Sequence, residues 1–186
     1  HDEGVYYANH VVNPFFYEGM KTYIYEVFEQ MGRIPEHIIV PVGNGTLYLG
    51  VIKALEHLLA SGIIDHFPKV IALQSEHCDP LYEAYRENSD EALPVAVRPT
   101  IAEGIAIGKP LRAKEILTLA SKHNVVFVRA PENRLLAWRE RLAKKGFYIE
   151  HTTAANFAAW EAYQETYGAS SDVLITLCGA GIKLDH

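Results

Sequence analysis

Four short runs rich in branched apolar residues constrain this chain more than any other feature: HIIVP at 37–41, KVIALQ at 69–74, NVVFV at 124–128 and VLITLC at 173–178. Each is too short for a stable helix, and none alternates apolar with polar as a strand with one wet face does. Near-continuous apolar strands are buried on both sides, which points to a parallel sheet. Between them the apolar residues recur at helical spacing. Val51, Ile52, Leu55, Leu58 and Leu59 make one face of a helix that begins at Thr46 and is closed by Gly62. Lys114 to Lys122, Glu132 to Lys145 and Thr153 to Tyr167 read as further helices, and Pro80 to Arg86 as a shorter one. Ahead of the first strand, Met20, Ile24, Val27, Phe28 and Met31 predict one helix from Glu18 to Met31, with Pro14 in a turn before it. The fold class is therefore α/β: an open, mainly parallel sheet with helices on both faces. With 186 residues and no repeat, linker or low-complexity tract, a single α/β unit over 1–186 is expected.

Composition narrows the chemistry. Lys and Arg total 17 against 23 Asp and Glu, a net charge of -6, so there is no basic surface to draw nucleic acid or anionic lipid. No apolar run approaches the roughly 20 residues of a membrane-spanning helix. Cys78 and Cys178 are far apart and in no CxxC pairing, which suggests neither a disulfide framework nor a zinc site and leaves a reducing cytoplasm as the expected setting. Glu76, His77, Cys78 and Asp79 stand together in SEHCDP, but neighbours on an extended segment point in opposite directions and cannot converge on one ion. The nine histidines form no HxH or HxxxH pair. No metal is expected.

Two glycine turns follow expected strands, PVGNGT at 41–46 and CGAG at 178–181. Ligands of open parallel sheets bind beyond the carboxyl ends of the strands, so both turns lie where a site belongs. The first also opens a helix: the amides of Asn44, Gly45 and Thr46 and the positive helix end would favour an anion, with Gly43 and Gly45 letting it approach. The alternative is a turn that merely needs glycine. It matches neither GxGxxG nor GxxxxGK[ST], which argues against dinucleotides and nucleoside triphosphates. Cys178 is open to three readings: nucleophile, hydrogen-bond partner of a ring, or small core residue. Glu150, before HTTAA, is either a helix-start residue or an acid-base group, and Lys21 in EGMKT is either a reactive amine or a solvated charge.

Taken in order, NPFFYEGMKT, IIVPVGNGTL, VIALQSEHCDPL, TIAEGIAIG, IEHTTAA and ITLCGAG resemble the second half of the fold-type-II pyridoxal-phosphate enzymes, threonine synthase and threonine synthase-like lyases above all. The resemblance implies the tryptophan synthase beta-like fold, here part of its large domain, and pyridoxal 5'-phosphate as cofactor. It implies that Gly43, Asn44, Gly45 and Thr46 hold the cofactor phosphate, Thr46 standing where the family usually has another glycine. It places Cys178 where a Ser or Thr hydroxyl normally meets the pyridine nitrogen, a thiol being the weaker donor. Glu150 matches the family's acidic residue near the ring, and Glu103 a further acidic position. Lys21 matches an EGxKT position and is not the lysine that carries the cofactor. That lysine belongs to an SFKDR-like segment, and nothing in these 186 residues resembles it. The expectation is a carboxyl-terminal part of a two-domain enzyme, a homodimer at full length, that acts on a small amino acid by β- or γ-elimination or replacement and is inactive as this part alone. Two alternatives remain: a non-catalytic α/β module that binds a small anion or a partner, and a nucleotide-binding Rossmann domain.

Overall fold

The computed structural model describes residues 4–184 apart from Tyr6. Four strands, β1 (His37–Pro41), β2 (Lys69–Ser75), β3 (Val126–Ala130) and β4 (Val173–Ile175), form one sheet in the order β3-β2-β1-β4, and every pairing is parallel. Among the described residues seven α-helices accompany them: α1 (Pro14–Met20), α2 (Thr22–Met31), α3 (Thr46–Ala60), α4 (Pro80–Arg86), α5 (Ala113–Lys122), α6 (Glu132–Ala143) and α7 (His151–Tyr167). Side chains on successive strand residues go to opposite faces and so build two cores. Ile38, Val40, Val70, Ala72 and Phe127 pack against Ile24 of α2, Leu55 of α3, Leu81 of α4 and Ile116 of α5. Ile39, Ile71, Leu73, Val126 and Val128 pack against Leu135 of α6 and Ala155, Ala159 and Trp160 of α7. The residues of β1 after His37 and of β2 after Lys69 are all buried, as apolar runs that alternate with nothing require.

Several boundaries differ from the sequence expectation, and three of the differences have a clear physical reason. The helix expected over 18–31 is two helices, and Pro14 is inside the first of them, with the Asn13 side chain accepting from the Phe15 amide. The break falls at Lys21, where the Thr22 hydroxyl donates to Gly19 O at 2.7 Å and takes a carbonyl that a continuous helix would use. The third strand begins two residues late, because Asn124 is left-handed at φ 52° and the Val125 amide turns back to Ala120 O at 2.9 Å to finish α5.

The fourth strand stops at Ile175 rather than Cys178, and Pro41 supplies the reason. The His37 amide donates to Asp172 O at 3.1 Å and the Val42 amide to Leu73 O at 2.9 Å, so odd-numbered residues of β1 bond towards β4 and even-numbered ones towards β2. Pro41 is odd and has no amide. The ladder between β1 and β4 ends there, and residues 176–180 are free to turn.

Candidate active site at the sheet edge

The chain moves from β1 outward through β2 to β3, and then β4 returns to the other side of β1. This reversal is the topological switch point of an open α/β sheet. The turns after β1 and β4 leave neighbouring parallel strands at the same edge, as a shared site at Gly43 and Gly179 requires.

After Val42 the chain turns through Gly43, Asn44 and Gly45 into α3, whose first hydrogen bond runs from the Leu49 amide to Gly45 O at 2.8 Å. Gly45 is the residue before the helix, left-handed at φ 85°, and no side chain caps this end. The amides of Gly43, Asn44, Gly45 and Thr46 have no acceptor among the described residues. Unpaired amides at a positive helix end are the kind of donor set that an anion requires. A floor fixes the shape: a Cβ on Gly43 would lie 3.1 Å from Gly104 O and 3.1 Å from Ile107 Cγ1, and one on Gly45 2.4 Å from Ile116 Cδ1. The 3-10 turn Glu103–Ile105 thus lies over the glycine turn and carries the exposed Glu103 beside it.

The second turn is held by side chains of α7. Asn156 Nδ2 donates to Thr176 O at 2.6 Å, the carbonyl that an amide at position 41 would otherwise have served. Thr153 Oγ1 accepts from the Gly179 amide at 3.1 Å and donates to Gly179 O at 3.3 Å. The Glu150 amide also donates to Gly179 O, at 3.0 Å. Glu150 stands at the N-cap of α7, yet its carboxylate caps nothing; it lies on Gly179, where an added Cβ would be 2.5 Å from the carboxyl carbon. Cys178 is exposed as a residue, while its sulfur lies 3.5 Å from Asn156 Nδ2 and 3.7 Å from Thr176 O. Burial of that sulfur pushes the thiol's pKa up, the Asn156 hydrogen bond opposes the rise, and the Glu150 charge adds to it. Of the three readings of Cys178, a core residue is therefore set aside.

Gly104, next to Glu103, also approaches this end, since a Cβ there would be 2.7 Å from Thr152 Oγ1. Burial lowers the pKa of His151, as does the Arg139 charge, against the charges of Glu103, Glu132 and Glu150. Lys21 is ion-paired with Glu18 at 2.6 Å. The SEHCDP residues have structural partners: the Glu132 amide donates to Glu76 Oε1 at 3.0 Å, His77 Nδ1 lies 2.5 Å from Pro99 O, and Cys78 is buried. Sequence reasoning passed over Asn156, Thr153 and Tyr23, whose hydroxyl lies 3.0 Å from Thr176 Oγ1. One signal was available, since Asn156 interrupts an otherwise small and apolar stretch of α7.

Fold and site together define an open parallel α/β protein with a helix start of unpaired amides beside a polar turn at its switch point. The profile of the family "Pyridoxal-phosphate dependent enzyme" matches residues 1–179, and the chain belongs to that family. The family's cofactor is pyridoxal 5'-phosphate. Threonine synthase of Methanocaldococcus jannaschii is 30% identical over 97% of this chain and 46% of its own length, and threonine synthase of Methanosarcina acetivorans 28% identical over 84% and 39%. The chain thus spans less than half the length of these relatives. Among solved structures, an L-serine ammonia-lyase from Rhizomucor miehei superposes with a TM-score of 0.75 at 19% identity over 90% of this chain and 53% of that one. A threonine deaminase from T.th. does so with 0.70 at 20% over 91% and 59%. At such identities these likenesses speak for the fold, which is tryptophan synthase beta-like. Among the described residues no helix is long and apolar enough to cross a membrane.

The residues present fit the cofactor. Four unpaired amides suit its phosphate, and the three glycines stand where a side chain would collide with Gly104, Ile116 or Glu150. Behind Cys178, Asn156 Oδ1 is buried without a partner.

Proposed function

We propose that this chain is the carboxyl-terminal part, mostly large domain, of a two-domain amino-acid enzyme in which Gly43, Asn44, Gly45 and Thr46 hold the phosphate of pyridoxal 5'-phosphate while Cys178 and Glu150 face its ring. The complete enzyme carries out β- or γ-elimination or replacement on a small amino acid, as a threonine synthase-like or serine/threonine dehydratase-like lyase. When bound, the cofactor supplies an electron sink for negative charge at the substrate's α-carbon. The chain's own work is to anchor and orient. Backbone amides at the start of α3 neutralise the phosphate without a lysine or arginine. The Cys178 thiol offers one weak hydrogen bond to the pyridine nitrogen. Glu150 puts a carboxylate beside that turn, where it favours positive charge at the ring. The lysine that carries the cofactor covalently belongs to a segment these 186 residues do not contain, so the chain by itself has no turnover. The full-length protein is a homodimer in this reading, and two free cysteines suit the reducing cytoplasm.

One observation carries the proposal: four acceptor-less amides and Cys178 share the sheet edge at the switch point. Titration with inorganic phosphate and with pyridoxal 5'-phosphate, followed by backbone amide NMR, tests it. Both ligands should shift Gly43 to Thr46 with similar affinity, and only the second should also shift Cys178 and Gly179. Shifts centred elsewhere overturn the proposal. Shifts confined to Gly43–Thr46 with both ligands favour the non-catalytic anion-binding module instead.

A further inference from the structure

Asn156 lies in the second turn of α7 with no exposed surface, between the buried pairs Ala154–Ala155 and Ala158–Ala159. Its two amide hydrogens have different targets, Thr176 O at 2.6 Å and Cys178 Sγ at 3.5 Å. Which end of an amide is nitrogen follows from its partners, and a carbonyl only accepts, so Thr176 O fixes Nδ2 as the atom facing the turn. Oδ1 is then left buried and unpaired. A buried oxygen without a donor costs stability, so packing alone is a poor account of an asparagine here.

We propose that Asn156 is a positioning residue for Cys178: by donating to the Thr176 carbonyl and to the sulfur together, it leaves the thiol proton as the group that Cys178 presents to the cofactor's pyridine nitrogen. The inference rests on the reading of Cys178 given above. Among the described residues the thiol donates only a long bond, to Thr176 O at 3.7 Å, with the Thr153 side chain as a further hydrogen-bonding neighbour. Pro41 has deprived that carbonyl of its ladder amide, and Asn156 supplies the missing donor at a far shorter distance. Without Asn156 the carbonyl would be the natural target of the thiol, and Cys178 would turn its proton inward. The contact on sulfur also favours the thiolate, against the burial that pushes this thiol up.

The test is the pH profile of Cys178 alkylation by iodoacetamide, measured on the cofactor-free chain and followed by peptide mass so that the buried Cys78 is not counted. Asn156→Leu keeps the approximate volume and loses the donor without adding a titratable group. It should slow alkylation about fivefold at neutral pH and move the profile upward, with the fold verified by circular dichroism. Asn156→Ala serves if the leucine variant does not fold. The unaltered protein gives a check without any variant, since the Asn156 side-chain amide signals should shift when Cys178 is alkylated. An unchanged profile in a folded variant, or side-chain signals that stay in place, overturns the proposal. Should the profile stay put while pyridoxal 5'-phosphate still shifts Gly43–Thr46 and Cys178, the role of Asn156 is lost and the cofactor reading stands. Should the profile move while pyridoxal 5'-phosphate leaves Cys178 unshifted, the pair positions nothing for a ring and the proposal falls with that part of the reading.

Discussion

The turn after β1 and the turn after β4 leave adjacent strands at one edge of the sheet but are built by different means. Gly43–Thr46 follows a strand paired with β2 along its whole length and enters a 15-residue helix, and its shape comes from backbone conformation pressed against Ile116 and the 3-10 turn. Residues 176–180 follow a three-residue edge strand of which every residue is only half-buried, and they are held by side chains of Asn156 and Thr153 from α7. The first turn should therefore behave as a rigid fixture of the core. The second should respond one hydrogen bond at a time.

Gly45→Val attacks the rigid turn and should have the largest effect. It puts a β-branched residue at φ 85° with its Cβ 2.4 Å from Ile116 Cδ1, where strain and overpacking together cost about 3 kcal/mol or more. Urea denaturation measures the loss, and phosphate should no longer shift the turn's amides. A folded Gly45→Val chain that keeps phosphate affinity would erase the distinction between the turns. Next comes Thr153→Val, which removes both side-chain bonds to Gly179 at nearly constant volume. A loss of about 1–2 kcal/mol is expected, with faster hydrogen exchange at the Gly179 amide and phosphate binding unchanged. Weakened phosphate binding in this variant would show that the two turns are coupled.

The smallest effect concerns the entry to β4. Arg33 forms a two-pronged pair with Asp172 at 2.7 and 2.8 Å, and the Glu36 amide adds a third bond at 2.9 Å. The Arg33 guanidinium first and that amide second hold the carboxyl down at about 2, from an ordinary 3.8. A folded-state pKa below the unfolded one gives stability that is present above about 3.8 and disappears as pH falls through about 2. The urea midpoints of wild type and Asp172→Asn should therefore differ above that window and converge within it. A gap that stays constant across the window would mean that the pair contributes no pH-dependent stability.

The comparison also explains which parts were legible in the sequence. HIIVP and PVGNGT announce a buried strand, a glycine turn and a helix from adjacent residues, and the structure has them where local patterning puts them. VLITLC misleads because its end is set by the missing amide of Pro41, which lies 132 residues before Val173. Thr153 looks like a helix-start residue and Asn156 like an oddity in an alanine stretch. Their partners at Gly179 and Thr176 are 26 and 20 residues away in sequence. Glu150 stands between these cases: its place before α7 follows from spacing, whereas its contact with Gly179 follows from the fold. Periodicity reads elements; it does not read which side chain replaces a lost backbone donor.

Pro41 uncouples position 178 from the sheet ladder. Because no rung of the ladder passes beyond Ile175 on β4, a change of side chain at 178 is transmitted to α7 and not to β1. The strand that leads into Gly43 keeps its register with β2 whatever residue stands there. In the proposed reading, a lineage built on this frame could exchange thiol for hydroxyl at 178 and retune a bound ring without disturbing the turn proposed to hold its phosphate.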